Sequence, residues 1–216
     1  KEEYKVLYDL ESKYWWFLGR TRIAFDILNR NLKNKNNLRI LDAGCGTGKN
    51  IEYLSKYGKV YGVDFSEEAL DFCKKKGLNN LKLGEIEDLP YKDNYFDLVT
   101  CFGVLYHKGI KDDFKAVKEL SRVCKPNGYV LITTPAGEFL TKKIFYSQHD
   151  KSQFTVRRHS KKKLKELFAR SNLEDTEMTY MNFFLMPLII ITRIIKKLNE
   201  IIFEGKQNEF KSELQI

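Results

Sequence analysis

The chain has 216 residues, 43% of them hydrophobic, and 38 Lys or Arg against 29 Asp or Glu give it a formal net charge of +9. That length and apolar share can bury one sizeable core, so a single domain is expected, 1–216. The four cysteines (45, 73, 101 and 124) form no C-x-x-C pair and no metal-ligand spacing, and neither a signal peptide nor internal repeats are visible. This pattern excludes a disulfide framework or a zinc module and predicts a reduced, cytoplasmic compartment. The first residue is Lys rather than Met, which leaves room for a longer parent chain.

In chain order, Tyr14-Trp15-Trp16-Phe17-Leu18-Gly19-Arg20 precedes a helix expected from about Thr21 to Asn31. Four consecutive aromatics cannot share one helical face, so some of them cover a pocket or a partner, or form a structural cluster. Leu38 to Leu41 reads as the body of a buried strand over 38–43, and the helical stretch from Gly48 to Tyr57 follows. Between them Leu41-Asp42-Ala43-Gly44-Cys45-Gly46-Thr47-Gly48 places three glycines at alternate positions of a strand-to-helix turn, where backbone N–H groups point outward and a nucleotide-like ligand can approach closely. A phosphate-binding P-loop would need Gly at position 43 and Ser or Thr at 50, where Ala43 and Asn50 stand. A dinucleotide fingerprint would need its third glycine at Lys49, but it falls at Gly48.

A second strand, 59–63, ends at Asp64, about twenty residues after the loop, where an acid can accept both ribose hydroxyls of an adenosine. Gly84-Glu85-Ile86-Glu87-Asp88-Leu89-Pro90-Tyr91 follows a strand at 80–84, and Asn94 to Val99 leads into a strand at 96–102. Lys125-Pro126-Asn127-Gly128 turns into a strand at 128–134. Helices at 66–76 and 111–123, with shorter ones, separate the strands. This alternation predicts an α/β fold: a Rossmann-like, doubly wound, mostly parallel sheet with helices on both faces and the ligand at the carboxyl ends of the strands. Beyond it, Lys161 to Ala169 reads as a helix and Leu173 to Tyr180 as a sixth strand.

The glycine register, the acid at 64, the 84–99 stretch and the 125–132 turn, in this order, resemble the class I S-adenosylmethionine-dependent methyltransferases. The resemblance covers residues 38 to 134. It implies that S-adenosyl-L-methionine is the cofactor and S-adenosyl-L-homocysteine the product, held by Asp42, Gly44, Cys45, Gly46, Gly48, Asp64 and Phe65. Glu85 and Ile86 would flank the adenine, and Phe102 and Gly103 would end the fourth strand near the methyl group. Taken singly these residues have plainer readings: Asp42 caps a turn, Cys45 is a small loop residue, Asp97 organises the loop before strand four. The segment "WWF-x-x-R" together with His149-Asp150 and Arg157-Arg158-His159 is similar to a subgroup of these enzymes with an "HD…RRY" segment, whose tyrosine is replaced here by His159. By that resemblance residues 1–31 lid the cofactor, Trp16 contacts it and Arg20 meets its carboxylate. His107, in Val104-Leu105-Tyr106-His107, stands where relatives have "LEH" and is the candidate base, with a structural histidine as the alternative. Relatives that use a metal carry acids at the positions of Gly103 and Tyr106. Neither is an acid here, so no metal is expected, and Tyr106 and Trp16 can face the sulfonium instead.

Residues 141–170 hold ten Lys or Arg and two Asp or Glu, nearly the whole charge excess of the chain. A solvated helix face accounts for Lys161, Lys162, Lys163 and Lys165. His149, Arg157, Arg158 and His159 follow strand five, where this fold builds its substrate wall, and suit an anionic acceptor. Phe183 to Ile191 is an apolar run, after which Leu188, Ile191, Ile194, Ile195, Leu198, Ile201 and Ile202 recur at helical spacing with Arg193, Lys196, Lys197 and Glu200 off the stripe. The run is too short to span a bilayer, which takes about twenty residues. Across 183–203 the basic amphipathic helix can meet its own domain, a membrane surface, a lipophilic substrate or a second subunit in a homo-oligomer.

The sequence therefore predicts methyl transfer to a small or lipid-linked, anionic, glycan-like or quinone-like acceptor, with 38–134 as the cofactor-binding core and 135–216 as the basic substrate side. The alternatives are a non-catalytic cofactor-binding or membrane-associated module and, against the glycine register, an NAD-dependent oxidoreductase. Nucleic acid is disfavoured because Cys101-Phe102-Gly103-Val104 replaces the Asn/Asp-Pro-Pro-aromatic segment of the base-methylating enzymes.

Overall fold

The computed structural model describes residues 4, 8, 11, 13–33, 35–136, 157–181, 187–188, 191–192, 194–195 and 199, except for the side chain of Trp16. Five parallel strands form one sheet in the order β3-β2-β1-β4-β5, with β1 Leu38–Ala43, β2 Gly58–Asp64, β3 Leu81–Leu83, β4 Phe96–Phe102 and β5 Cys124–Thr133. The chain leaves β1 toward β2 on one side and returns to β4 on the other, so a crevice opens between the carboxyl ends of β1 and β4. The glycine loop lies at that point.

Alternation along the strands sorts the core into two layers. Leu38 and Ile40 of β1 and Leu98 and Phe102 of β4 pack with α1 (Trp15–Asn31), α2 (Lys49–Leu54) and α3 (Glu67–Lys75) through Ala24, Phe25, Leu28, Ile51, Leu54, Leu70 and Cys73. Leu41, Ala43, Val63, Val99 and Cys101 face the other way, onto α4 (Asp113–Val123) and Leu167 of α5 (Lys161–Arg170). Helices thus cover both faces, as the alternation predicts.

Local chemistry explains most boundaries. Ser66, Asp112 and Ser160 cap α3, α4 and α5, each side-chain oxygen accepting a backbone N–H of the first turn. Helix α1 starts six residues earlier than its sequence suggests, at Trp15: Tyr14 stands before it in an extended conformation and provides no side-chain cap. Strand β5 starts at Cys124, with its register against β4 interrupted between Phe96 and Leu98, and Asn127 in that stretch has a φ of 60°. Leu173 to Tyr180 is not a strand. Residues 174–177 are all exposed and do not alternate with buried ones, although Leu173 packs against the core, and Glu177 pairs with Arg30 at the end of α1.

Candidate functional site

The glycine loop is fastened to the end of β2. Val63 O accepts from the N–H groups of Gly44 (2.8 Å) and Cys45 (3.0 Å), and Gly46 N–H donates to Asp64 Oδ2 at 2.8 Å. Gly44 has a φ of +76°, and a Cβ there would stand 2.4 Å from Val104 Cγ2, so both its conformation and its close approach require glycine. Cys45 is buried. The interaction with its Cys73 neighbour, and then burial, push its thiol far up, which leaves it a packing residue rather than a nucleophile.

Two carboxylates stand at the crevice. Asp64 accepts Gly46 N–H on Oδ2 and Ser66 N–H (3.0 Å) on Oδ1, and keeps lone pairs for further donors. Burial raises its pKa, opposed by those bonds and by His107. Asp42 has no exposure at all. Its Oδ1 accepts from Thr100 Oγ1 at 2.8 Å, and Oδ2 has no partner. Burial pushes its carboxyl up to about 7. Thr100 was not visible as a site residue from its type, but it sits opposite Asp42 in the β1–β4 register, which the alternation of both strands encodes.

Across the crevice, Arg20 of α1 lies beside the bare backbone of Gly103, whose added Cβ would stand 2.9 Å from Arg20 Nη1. Its guanidinium covers the Phe17 ring at 5.3 Å. Burial lowers its pKa, while Tyr106, Asp42 and Glu11 favour its charge. Among the described residues no carboxylate forms an ion pair with it. The N-terminal segment is tied to the loop as well, because Thr47 Oγ1 donates to Glu11 Oε2 at 2.6 Å and Lys76 Nζ lies 3.3 Å from Glu11 Oε1. This long-range contact has no local signature in the sequence.

Phe65 is 58% exposed at the carboxyl end of β2, an apolar face left open at the crevice. Its ring centroid is 5.9 Å from that of His107. Ile86 is buried, so its side chain serves the core and only its backbone can border a ligand, whereas Glu85 is exposed. Gly109 N–H donates to His107 Nδ1 at 3.2 Å. In the neutral ring that bond leaves the hydrogen on Nε2, which makes His107 a donor until Nδ1 is released. Phe102 is buried at the end of β4. Glu87, which sequence reasoning passed over, accepts the N–H groups of Lys111 (3.0 Å) and Asp112 (2.9 Å) and so fixes the entry to α4.

The basic residues after β5 behave differently from their expected role. His159 is 3% exposed, with Nδ1 2.9 Å from Thr134 Oγ1 and Nε2 3.0 Å from Asp113 Oδ2. Asp113 also holds Arg157 at 2.5 Å. His159 is therefore a buried tie between β5 and α4 and not a surface for an acceptor, and Arg157 spends its charge on Asp113. Arg158 reaches Ala136 O at 3.4 Å. His149 and the side chain of Trp16 lie outside the described residues. Asp97 accepts Arg39 N–H at 2.8 Å and pairs with Lys125, the loop-organising role expected of it. Among the described residues no His, Cys, Asp or Glu cluster could hold a metal. A groove of about 430 Å³ lined by Tyr61, Lys82, Pro90, Tyr91 and Tyr95 opens at the β3 edge, away from the glycine loop.

A family model described as a methyltransferase domain matches residues 41–132. A demethylmenaquinone methyltransferase of Staphylococcus saprophyticus is 32% identical over 179 residues, which take in 69% of this chain and 76% of that protein. An uncharacterised methyltransferase of Schizosaccharomyces pombe is 43% identical over 107 residues, 43% of this chain and 38% of the other. The chain spans 38–42% of the length of the curated relatives that it matches at 42–43% identity. Among solved structures, the YcgJ protein of Bacillus subtilis superposes with a TM-score of 0.61 at 27% identity, covering 72% of this chain and 71% of that one.

Proposed function

The chain belongs to the class I S-adenosylmethionine-dependent methyltransferases, and we propose that it transfers a methyl group from that cofactor to a small, quinone-like and lipid-soluble acceptor. One observation carries the cofactor assignment: a buried Asp42 oxygen without a partner and a desolvated Arg20 share the crevice yet form no ion pair. A zwitterionic amino-acid end fits that arrangement, its ammonium toward Asp42 and its carboxylate toward Arg20. Asp64 accepts the ribose hydroxyls, and Phe65 with the backbone at Ile86 borders the adenine. Gly44, Gly46 and Gly48 keep the loop low enough for close approach.

When bound, the cofactor supplies a methyl group already activated by its sulfonium. The chain's own task is then to orient the acceptor, exclude water and handle a proton. Gly103 and Phe102 mark where β4 ends beside Arg20. Tyr106 stands at the same edge and is suited to face a cation. His107 is assigned the acceptor's proton, which it takes at Nδ1 once the Gly109 N–H bond to that nitrogen yields.

The quinone-like acceptor is supported by the relatives named demethylmenaquinone methyltransferase. Among the described residues no helix is long and apolar enough to cross a membrane. Leu188, Ile191, Ile194 and Ile195 are nonetheless 45–60% exposed at helical spacing, which supports peripheral contact with a lipid surface. The test is transfer of labelled methyl from S-adenosylmethionine to a short-chain demethylmenaquinol. Label in the extracted quinol is expected, and its absence in a chain that binds S-adenosylhomocysteine would move the search to other acceptors.

A further inference from the structure

Glu11 and residues 13 to 20 stand at the crevice. One end is pinned where Glu11 meets Thr47 of the glycine loop and Lys76 of the segment after α3. The other is pinned where Arg20 lies against Gly103 at the end of β4. Five residues of helix cover about 7.5 Å, so the first turn of α1 stands at the mouth. Its outer side is apolar and solvent-exposed: Tyr14, Trp15 and Leu18 are 46%, 56% and 41% exposed. The inner side is what reaches the site, through Phe17 beneath the Arg20 guanidinium.

The exposed cations beside this patch are Lys13 and Arg22, with one exposed acid, Asp26, a turn further along the same helix face. Tyrosine and tryptophan beside cations suit the headgroup boundary of a bilayer, where rings sit among apolar chains and ammonium or guanidinium groups meet phosphate.

We propose that the outer face of this lid, Tyr14, Trp15 and Leu18 flanked by Lys13 and Arg22, seats on an anionic bilayer surface, so that the mouth of the crevice opens toward lipid. An acceptor dissolved in the bilayer then enters beneath the lid without crossing water. The inference rests on the reading of the acceptor as lipid-soluble and adds the orientation of the enzyme to it.

The chain's two tryptophans, Trp15 and Trp16, are neighbours in this segment, so intrinsic tryptophan emission of the full chain reports on the lid alone. The probes are vesicles of phosphatidylcholine with phosphatidylglycerol, vesicles of phosphatidylcholine alone, and both made with brominated acyl chains. Anionic vesicles shift the emission to shorter wavelength and their brominated form quenches it, while the zwitterionic ones do neither. Arg22→Gln lowers the partition coefficient about fivefold, the equivalent of one interfacial cation, and leaves S-adenosylhomocysteine affinity unchanged. Co-sedimentation with anionic vesicles without any change in emission would overturn the proposal, because the chain would then dock through another face. Failure to sediment with either vesicle would overturn it too, and an intact S-adenosylhomocysteine titration would show that the methyltransferase reading had not failed with it.

Discussion

Asp42→Asn separates the charge of the buried carboxyl from its shape. The amide keeps an oxygen for the Thr100 hydroxyl, 2.8 Å away in the wild type, and removes the ionisable group. In the unfolded chain Asp42 ionises near pH 4, whereas burial raises it to about 7 in the folded one. Between those values the native state holds a proton that the unfolded state has released, so wild-type stability falls as pH rises through the window and levels off above it. From the ordinary 3.8 to about 7, at about 1.36 kcal/mol per pH unit, the loss is roughly 4 kcal/mol. The part between pH 5 and pH 8 is roughly 3 kcal/mol. Urea unfolding of the ligand-free wild type and variant at both pH values reads it directly, with the stability difference moving toward the variant at pH 8. The ligand's ammonium favours the ionised carboxylate, so S-adenosylhomocysteine binds the wild type more tightly at pH 8 than at pH 5, and this trend vanishes in Asp42→Asn. Parallel pH dependence of the two unfolding curves would refute the reasoning, since Asp42 would then be ionised already at pH 5.

Asp64→Ala removes the ribose acceptor and the partner of Gly46 N–H, and should weaken S-adenosylhomocysteine binding by about 1 to 3 kcal/mol in calorimetry. His107→Ala should lower turnover of a quinol acceptor by about 10²- to 10⁴-fold, the usual contribution of a proton-transfer group, with cofactor affinity unchanged. Gly103→Ala places a side chain at a φ of +70° and 2.9 Å from Arg20 Nη1. It should cost about 1–2 kcal/mol of stability by denaturant titration and weaken cofactor binding by displacing the guanidinium.

The parts of the fold that were legible in sequence are those written locally. β1 and β4 occupy the predicted residues because mostly apolar stretches, bounded by Asn37 and Gly44 and by Asn94 and Gly103, leave few other choices. The glycine loop and Asp64 come together as their register requires, and the loop's own N–H groups make that link. Other features depend on contacts between distant residues. The start of α1 was hidden because Tyr14 provides no cap. Glu11 meets Thr47 across 36 positions, and the pairing of Arg20 with the empty space at Gly103 joins residues on different layers. His159 looked like a surface for anions because it follows two arginines, yet Asp113, at the start of α4, draws it and Arg157 inward.

Calorimetric titration of the chain with S-adenosylmethionine, S-adenosylhomocysteine and NAD, each alone, tests the central claim most directly. The account predicts saturable binding of the two sulfur-containing ligands at one site and none of NAD. Binding of NAD alone, or of none of the three, would contradict it.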